Sequence, residues 1–187
     1  MWVLEESAAE AESVLDDCLH MVSAEIEKKH QTLTISKDII YPYIYMDISR
    51  FTEIILNLIS NAIKYTGEGG TIRCSVRQLP AQKDGRCIQE LSVSDNGIGM
   101  SEEFQKHIFE SFTRERSSTV SGCGRYGARH GYREKLVEMM HGEIKIHSRV
   151  GEGSTFTIRI PCRIAAFEDT QTKRAQVHPN GKPLAGK

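Results

Sequence analysis

Apolar residues recur at three- and four-residue spacing through Val14, Leu15, Leu19, Val22 and Ile26, which predicts an amphipathic helix over residues 4–29. Clustered or alternating β-formers then predict short strands at 31–35 and 43–46. Asp47 has the side chain of an N-cap, and a strong helical period follows over 48–65 until Gly67, Gly69 and Gly70 stop it. Period-two alternation at 71–79 and 87–94, around a polar turn at 82–85, predicts a hairpin. A Gly-rich turn at 95–100 and a short helix at 102–108 come next. Residues 113–130 carry almost no apolar period and read as a long loop, the kind that is usually functional or disordered inside a compact domain. A helix near 132–140 and a second hairpin, 143–149 with 154–161 around Val150-Gly151-Glu152-Gly153, complete the pattern. Beyond Cys162 the chain turns polar and reads as a linker or tail.

This is one domain of mixed helix and strand with short extensions. Length and composition agree: 187 residues, 39% hydrophobic and 26% charged, fit a single globular unit. The formal net charge of -1 gives no global attraction to nucleic acid or to an anionic membrane. No apolar run approaches the roughly 20 residues that span a bilayer, so a cytoplasmic location without direct membrane contact is expected of this fragment. Cys18, Cys74, Cys87, Cys123 and Cys162 are far apart, without C-x-x-C spacing, and read as free thiols.

Candidate chemistry gathers in two places. On the 48–65 helix, Phe51, Ile55, Leu58, Ile59, Ala62 and Ile63 share one face, while Asn57, Asn61 and Lys64 share the opposite one. Asparagine is a poor helix former on a surface that Lys or Glu would suit better, and its amide oxygen is a hard ligand of the type Mg²⁺ takes. The turn Asp95-Asn96-Gly97-Ile98-Gly99-Met100 follows an apolar strand. Asn-Gly is ordinary turn chemistry, but two glycines also let backbone pass close to a flat ligand while the carboxylate accepts a hydrogen bond from it.

Taken in order, Asn57-Leu58-Ile59-Ser60-Asn61-Ala62-Ile63-Lys64-Tyr65-Thr66, then Asp95 to Met100, then Ile108-Phe109-Glu110-Ser111-Phe112, closely resemble the N, G1 and F boxes of sensor histidine kinases. The 142–156 segment resembles that family's final hairpin. The resemblance covers residues 11–162, leaving 1–10 as a leader and 163–187 as a linker or tail toward a possible receiver domain.

The resemblance implies the Bergerat ATP-binding fold, an α/β (α+β) two-layer sandwich with a mixed sheet and helices on one face. It implies ATP and Mg²⁺ as ligands, with Asn61 on the metal, Asn57 assisting, and Lys64 and Tyr65 beside the phosphates and sugar. Asp95 would receive the adenine amino group, Gly97, Ile98 and Gly99 would border the base, and Phe109 and Phe112 would anchor a lid at about 113–131. The activity implied is that of a bacterial two-component kinase, passing the γ-phosphoryl to a histidine. Relatives that hydrolyse ATP carry a general-base glutamate where Asn57 stands, and an amide cannot take a proton from water. His20 is followed by Met21 and His30 by Gln31, so neither resembles the acceptor motif. The implied partners are therefore a separate histidine-bearing dimerisation domain and a response regulator or receiver domain, and the fragment itself is expected to be monomeric.

One segment departs from the family. Where a G2 box resembling Gly-Thr-Gly-Leu-Gly-Met-Ala-Ile belongs, the chain reads Gly124-Arg125-Tyr126-Gly127-Ala128-Arg129-His130-Gly131-Tyr132-Arg133-Glu134. Degenerate codons for that stretch, read one base later, give GNC GNT AYG GNG CNC GNC AYG GNT AYC. From the second triplet onward they permit the whole expected octet, so the segment reads as a local frame shift restored near Lys135. As written, it predicts a damaged lid, a disordered stretch near 114–130 and impaired turnover. Gly122 to Gly127 also matches G-x-G-x-x-G, but no strand precedes it and no acidic ribose partner follows. The aromatic and basic residues 125–133 mimic an RNA-binding patch that the remainder of the chain does not support.

Overall fold

The computed structural model describes residues 4–81, 84–106 and 136–175. The elements are β1 (Ser7–Glu10), α1 (Ser13–Lys28), β2 (Thr32–Asp38), β3 (Tyr43–Met46), α2 (Ile48–Tyr65), β4 (Thr71–Leu79), β5 (Arg86–Asp95), β6 (Glu143–Arg149), β7 (Gly153–Ile164) and α3 (Phe167–Ala175). Residues 102–106 and 136–139 are also helical. The strands form one seven-stranded sheet in the order β1-β3-β7-β5-β4-β2, with β6 on β7. Only β2 and β4 run parallel, so the sheet is mixed, as expected.

Two stretches read from the sequence as outlying, one at each end, join the fold. Ala8 and Ala9, in the stretch read as a leader, belong to β1 and pair with Tyr45 and Ile44 of β3. In the stretch read as a tail, α3 sets the Phe167 ring 5.4 Å from Tyr43. The helical period around residues 4–12 gave no sign of β1, because a four-residue strand is defined by its partner's backbone.

Helices cover one face of the sheet. The buried stripe of α1 (Val14, Leu15, Cys18, Leu19, Val22, Ile26) meets the face of α2 that carries Phe51, Ile55, Ile59 and Ile63, over Ile72, Cys74 and Val76 of β4 and Leu91 and Val93 of β5. Each fully buried Ile or Leu contributes about 1.5–3 kcal/mol. Asp47 caps α2: Oδ1 accepts from Arg50 N at 3.1 Å and Oδ2 from Glu5 N at 3.0 Å. The four described cysteines are buried and unpaired, and burial pushes the Cys74 and Cys162 thiols up to about 12.

The other face is polar. Register places Arg77, Glu90, Arg159 and Glu143 in one row across β4, β5, β7 and β6. Glu90 takes Arg77 at 2.6 Å on one oxygen and Arg159 on the other, and Arg159 also reaches Glu143 at 3.2 Å. Pro161, which lacks an N–H, falls on β7 between the residues paired with β6 and those paired with β3. The missing donor therefore costs no ladder bond on that side.

Candidate functional site

The site lies where α2 ends against the turn that follows β5. On α2, Asn57 and Asn61 are both half-buried and joined, Asn61 Nδ2 donating to Asn57 Oδ1 at 3.2 Å. That bond orients the Asn61 amide and leaves its Oδ1, the hard oxygen, outside the pair. Lys64, one turn on, is exposed and holds its ammonium 5.0 Å from the centre of the Tyr65 ring.

Asp95 ends β5. It pairs with Ile72, wholly buried under the helices, so register turns its carboxylate toward the helix-covered side rather than the polar face. Gly97 N donates to Asp95 Oδ1 at 2.9 Å. Burial pushes the Asp95 carboxyl above its ordinary range, and the N–H groups of Gly97 and Ser154 offset only part of that. A desolvated acceptor with one oxygen tied down suits a ligand that brings its own N–H.

Backbone contacts fix the turn. Ile98 N donates to Tyr65 O at 3.2 Å, and Gly151 N donates to Ile98 O at 2.8 Å. Asn96 closes the flank, with N donating to Thr71 O at 3.2 Å and Oδ1 accepting from Thr71 N at 2.7 Å. A Cβ on Gly97 would overlap the Tyr65 carbonyl, and one on Gly99 would overlap that of Arg149, with φ of +65° besides. Both glycines are thus required by the protein's own close backbone approach. Ile98 is left 64% exposed and Val150 69% exposed beside it.

Asp95 also lines a cleft of about 640 Å³ with Met100, Gln105, Ser148, Arg149 and Ser154. Asn57, Asn61, Lys64 and Tyr65 are not among its described walls. Among the described residues the two halves of the expected site are joined through the Tyr65–Ile98 hydrogen bond. Phe109, Phe112 and the segment 113–131 lie outside the described residues.

Sequence reasoning missed Lys29 and Gln31. Lys29 Nζ donates to the carbonyls of Ile63 (2.6 Å), Lys64 (3.2 Å) and Thr66 (3.2 Å). Gln31 Nε2 reaches those of Ile63 (3.1 Å), Thr66 (2.8 Å) and Gly67 (3.3 Å). A basic residue after a helix is too common to be a signal, and nothing local announces a partner more than thirty residues away.

Comparison with known proteins fits this geometry. Residues 46–164 match the family described as histidine kinase-, DNA gyrase B-, and HSP90-like ATPase. Sensor histidine kinase AruS of Pseudomonas aeruginosa is 37% identical over 125 residues, which is 67% of this chain and 12% of AruS. The chain thus spans about an eighth of that relative. The catalytic domain of histidine kinase ThkA superposes with a TM-score of 0.67 at 21% identity, covering 84% of this chain and 95% of that one. Full-length ShkA in complex with AMPPNP gives 0.68 at 23% identity, covering 88% and 33%. The curled mixed sheet with its helices is the fold of these neighbours. No described helix is long and apolar enough to cross a membrane. By its matched core, its amide-bearing helix and its relatives, the chain belongs to the histidine kinase-, DNA gyrase B-, and HSP90-like ATPase family, as an ATP-binding domain of the sensor histidine kinase kind.

Proposed function

We propose that this chain is the catalytic ATP-binding domain of a two-component sensor histidine kinase, passing the γ-phosphoryl of Mg-ATP to a histidine on a separate dimerisation domain. One observation carries the reading: α2 presents the Asn57–Asn61 amide pair four residues before Tyr65, whose carbonyl holds the turn bearing the desolvated Asp95. In the transfer, the bond from the γ-phosphorus to the bridging oxygen breaks, ADP departs and a P–N bond forms to the acceptor imidazole. Such a reaction asks the protein mainly for positioning and charge stabilisation.

The residues fit these tasks. Asp95 accepts the adenine amino group, and Ile98 supplies an exposed apolar surface for the base. Gly97 and Gly99 keep the turn tight enough to border it. Lys64 and Tyr65 serve the phosphates and sugar, and Asn57, an amide where a hydrolase needs a base, favours transfer over hydrolysis. Mg²⁺ supplies charge neutralisation along the phosphates, and Asn61 Oδ1 is the oxygen that would hold it, with Asn57 steering it. Phe109 and Phe112 anchor the lid in this reading. In this reading the sequence carries Arg125, Tyr126 and Arg129 in the segment where the family's G2 box is glycine-rich, so turnover would be impaired. The partners are the histidine-bearing dimerisation domain of the same kinase and a response regulator or receiver domain.

The altered 124–134 segment favours a second reading, a non-catalytic docking module of the same fold. Calorimetric titration of Mg-ATP into wild type, Asn61→Ala and Asp95→Ala separates the two. Binding weakened by both substitutions supports the kinase reading, whereas no binding, or binding indifferent to them, supports docking. Sequencing the coding DNA and mass mapping of residues 114–135 tests the frame shift, and the same titration with the restored glycine octet tests its effect on the lid.

A further inference from the structure

The C-terminus of α2 raises a separate question, because a helix leaves its last four carbonyls without helical partners. Many helices satisfy them with a left-handed glycine after the cap. Here Thr66 is extended, at φ -91° and ψ 132°, and Gly67 is not left-handed, so the chain leaves α2 without that device. The four carbonyls are accounted for one by one. Ala62 O accepts from Thr66 N, Ile63 O from Lys29 and Gln31, Lys64 O from Lys29, and Tyr65 O from Ile98 N.

The Gln31 side chain shows what the arrangement favours. Its Nε2 faces three carbonyls, an orientation those acceptors require, while its Oε1 is buried without a partner. Supplying donors to the end of α2 therefore outweighs an orphaned acceptor. The half-buried Lys29 adds three more contacts and a positive charge at the negative end of the helix dipole. By occupying Ile63 O and Lys64 O, these two side chains leave Tyr65 O as the carbonyl that takes the turn beyond Asp95.

We infer that Lys29 and Gln31 are positioning residues for the nucleotide site: by capping α2 they set the spacing between the Asn57–Asn61 amides and the Asp95 carboxylate. The inference rests on the proposed ATP-binding reading, although neither residue touches the nucleotide in it. Without these donors the last turn of α2 has unsatisfied buried carbonyls, frays or tightens, and shifts both Tyr65 O and the Asn61 amide. A plain structural tie between α1 and α2 would instead alter stability and leave the site unchanged.

The test uses Lys29→Met, which keeps an apolar stem but no donors, Gln31→Leu, and Lys29→Arg as the conservative rescue. Three quantities are measured on each: the hydrogen exchange rate of the Ile98 amide without ligand, the Kd for Mg-ATP well below the melting temperature, and Tm. Lys29→Met and Gln31→Leu are expected to speed Ile98 exchange about tenfold, with Leu91 in β5 unchanged, and to weaken Mg-ATP about five- to twentyfold. Lys29→Arg should stay within about twofold of wild type in both. A fall in Tm with Kd within that margin overturns the inference, whatever the exchange rate does. Should wild type bind no nucleotide, the kinase reading fails, and Ile98 exchange alone decides the positioning role: faster in Lys29→Met supports it, unchanged refutes it. Should Gln31→Leu not fold, Lys29→Met carries the test.

Discussion

Asp95→Asn separates recognition from stability, because the two should move in opposite directions. The amide keeps an oxygen for Gly97 N, which donates to Oδ1 at 2.9 Å, so the turn stays closed. What changes is the charge and the second oxygen, replaced by a donor that, in the proposed reading, would face the adenine amino group. Losing a hydrogen bond to a charged group costs about 1.5–3 kcal/mol, and so raises the Kd for Mg-ATP about ten- to more than a hundredfold. Stability has the other sign. Burial raises the folded-state pKa of Asp95 above that of the unfolded chain. A raised acid contributes stability that is fully present below the unfolded pKa and is lost as pH rises through the folded one. At neutral pH the buried charge is therefore a cost, and the asparagine variant should melt at or above wild type, an advantage that shrinks as pH falls toward the ordinary aspartate range. Calorimetric titration and thermal melts from pH 7 to pH 3.5 measure both arms. A variant that binds Mg-ATP as tightly as wild type, or that melts lower at pH 7 with the deficit vanishing in acid, refutes the reasoning.

Gly99→Ala should destabilise the domain by about 2–4 kcal/mol, because it combines a strained positive φ with overlap on the Arg149 carbonyl. A melt within a degree of wild type would show that the turn relaxes freely. Asp47→Ala removes the N-cap of α2 and the acceptor for Glu5 N, and should cost about 1–2 kcal/mol in urea unfolding with the m-value unchanged. Glu90 is buried, which opposes its ionisation, but Arg159 and Arg77 outweigh burial and hold its pKa below the usual range. Its stabilisation is thus present above the ordinary glutamate pKa and lost as pH falls through the folded value. Glu90→Gln should cost about 1–2 kcal/mol at neutral pH and flatten the acid limb of the stability profile, and an unchanged acid limb would contradict the assignment.

Local signals carried some elements to their final residues and failed at others for identifiable reasons. The 48–65 helix has both an N-cap and a one-sided apolar stripe, and α2 has those bounds in the structure; β4, β6 and β3 likewise match their alternating or β-rich segments. The motifs around Asn57, Asn61 and Asp95 were readable because their spacing resembles a family. Their meeting was not, since it depends on a hydrogen bond between Tyr65 and Ile98 backbone atoms that any residue pair could make. The parallel pairing of β2 with β4 skips β3 and α2 and leaves no periodic trace. β1 is too short to signal, and α3 has a polar sequence that resembles a tail. Gln31 looked like the first residue of a strand, and its capping role exists only once α2 ends beside it.

The clamp between the turn after β5 and the β6–β7 turn has a consequence for how the chain tolerates change. Ile98 and Gly151 are joined backbone to backbone, and Asp95 pairs with Ser154 on either side of a long excursion of chain. The excursion leaves and re-enters at one fastened point, and doubling a closed loop's length costs only about 0.6 kcal/mol. A change of sequence in its middle can therefore be accommodated while sparing the sheet at its two ends. Selection or accident can thus revise that intervening sequence without endangering the strands that flank it.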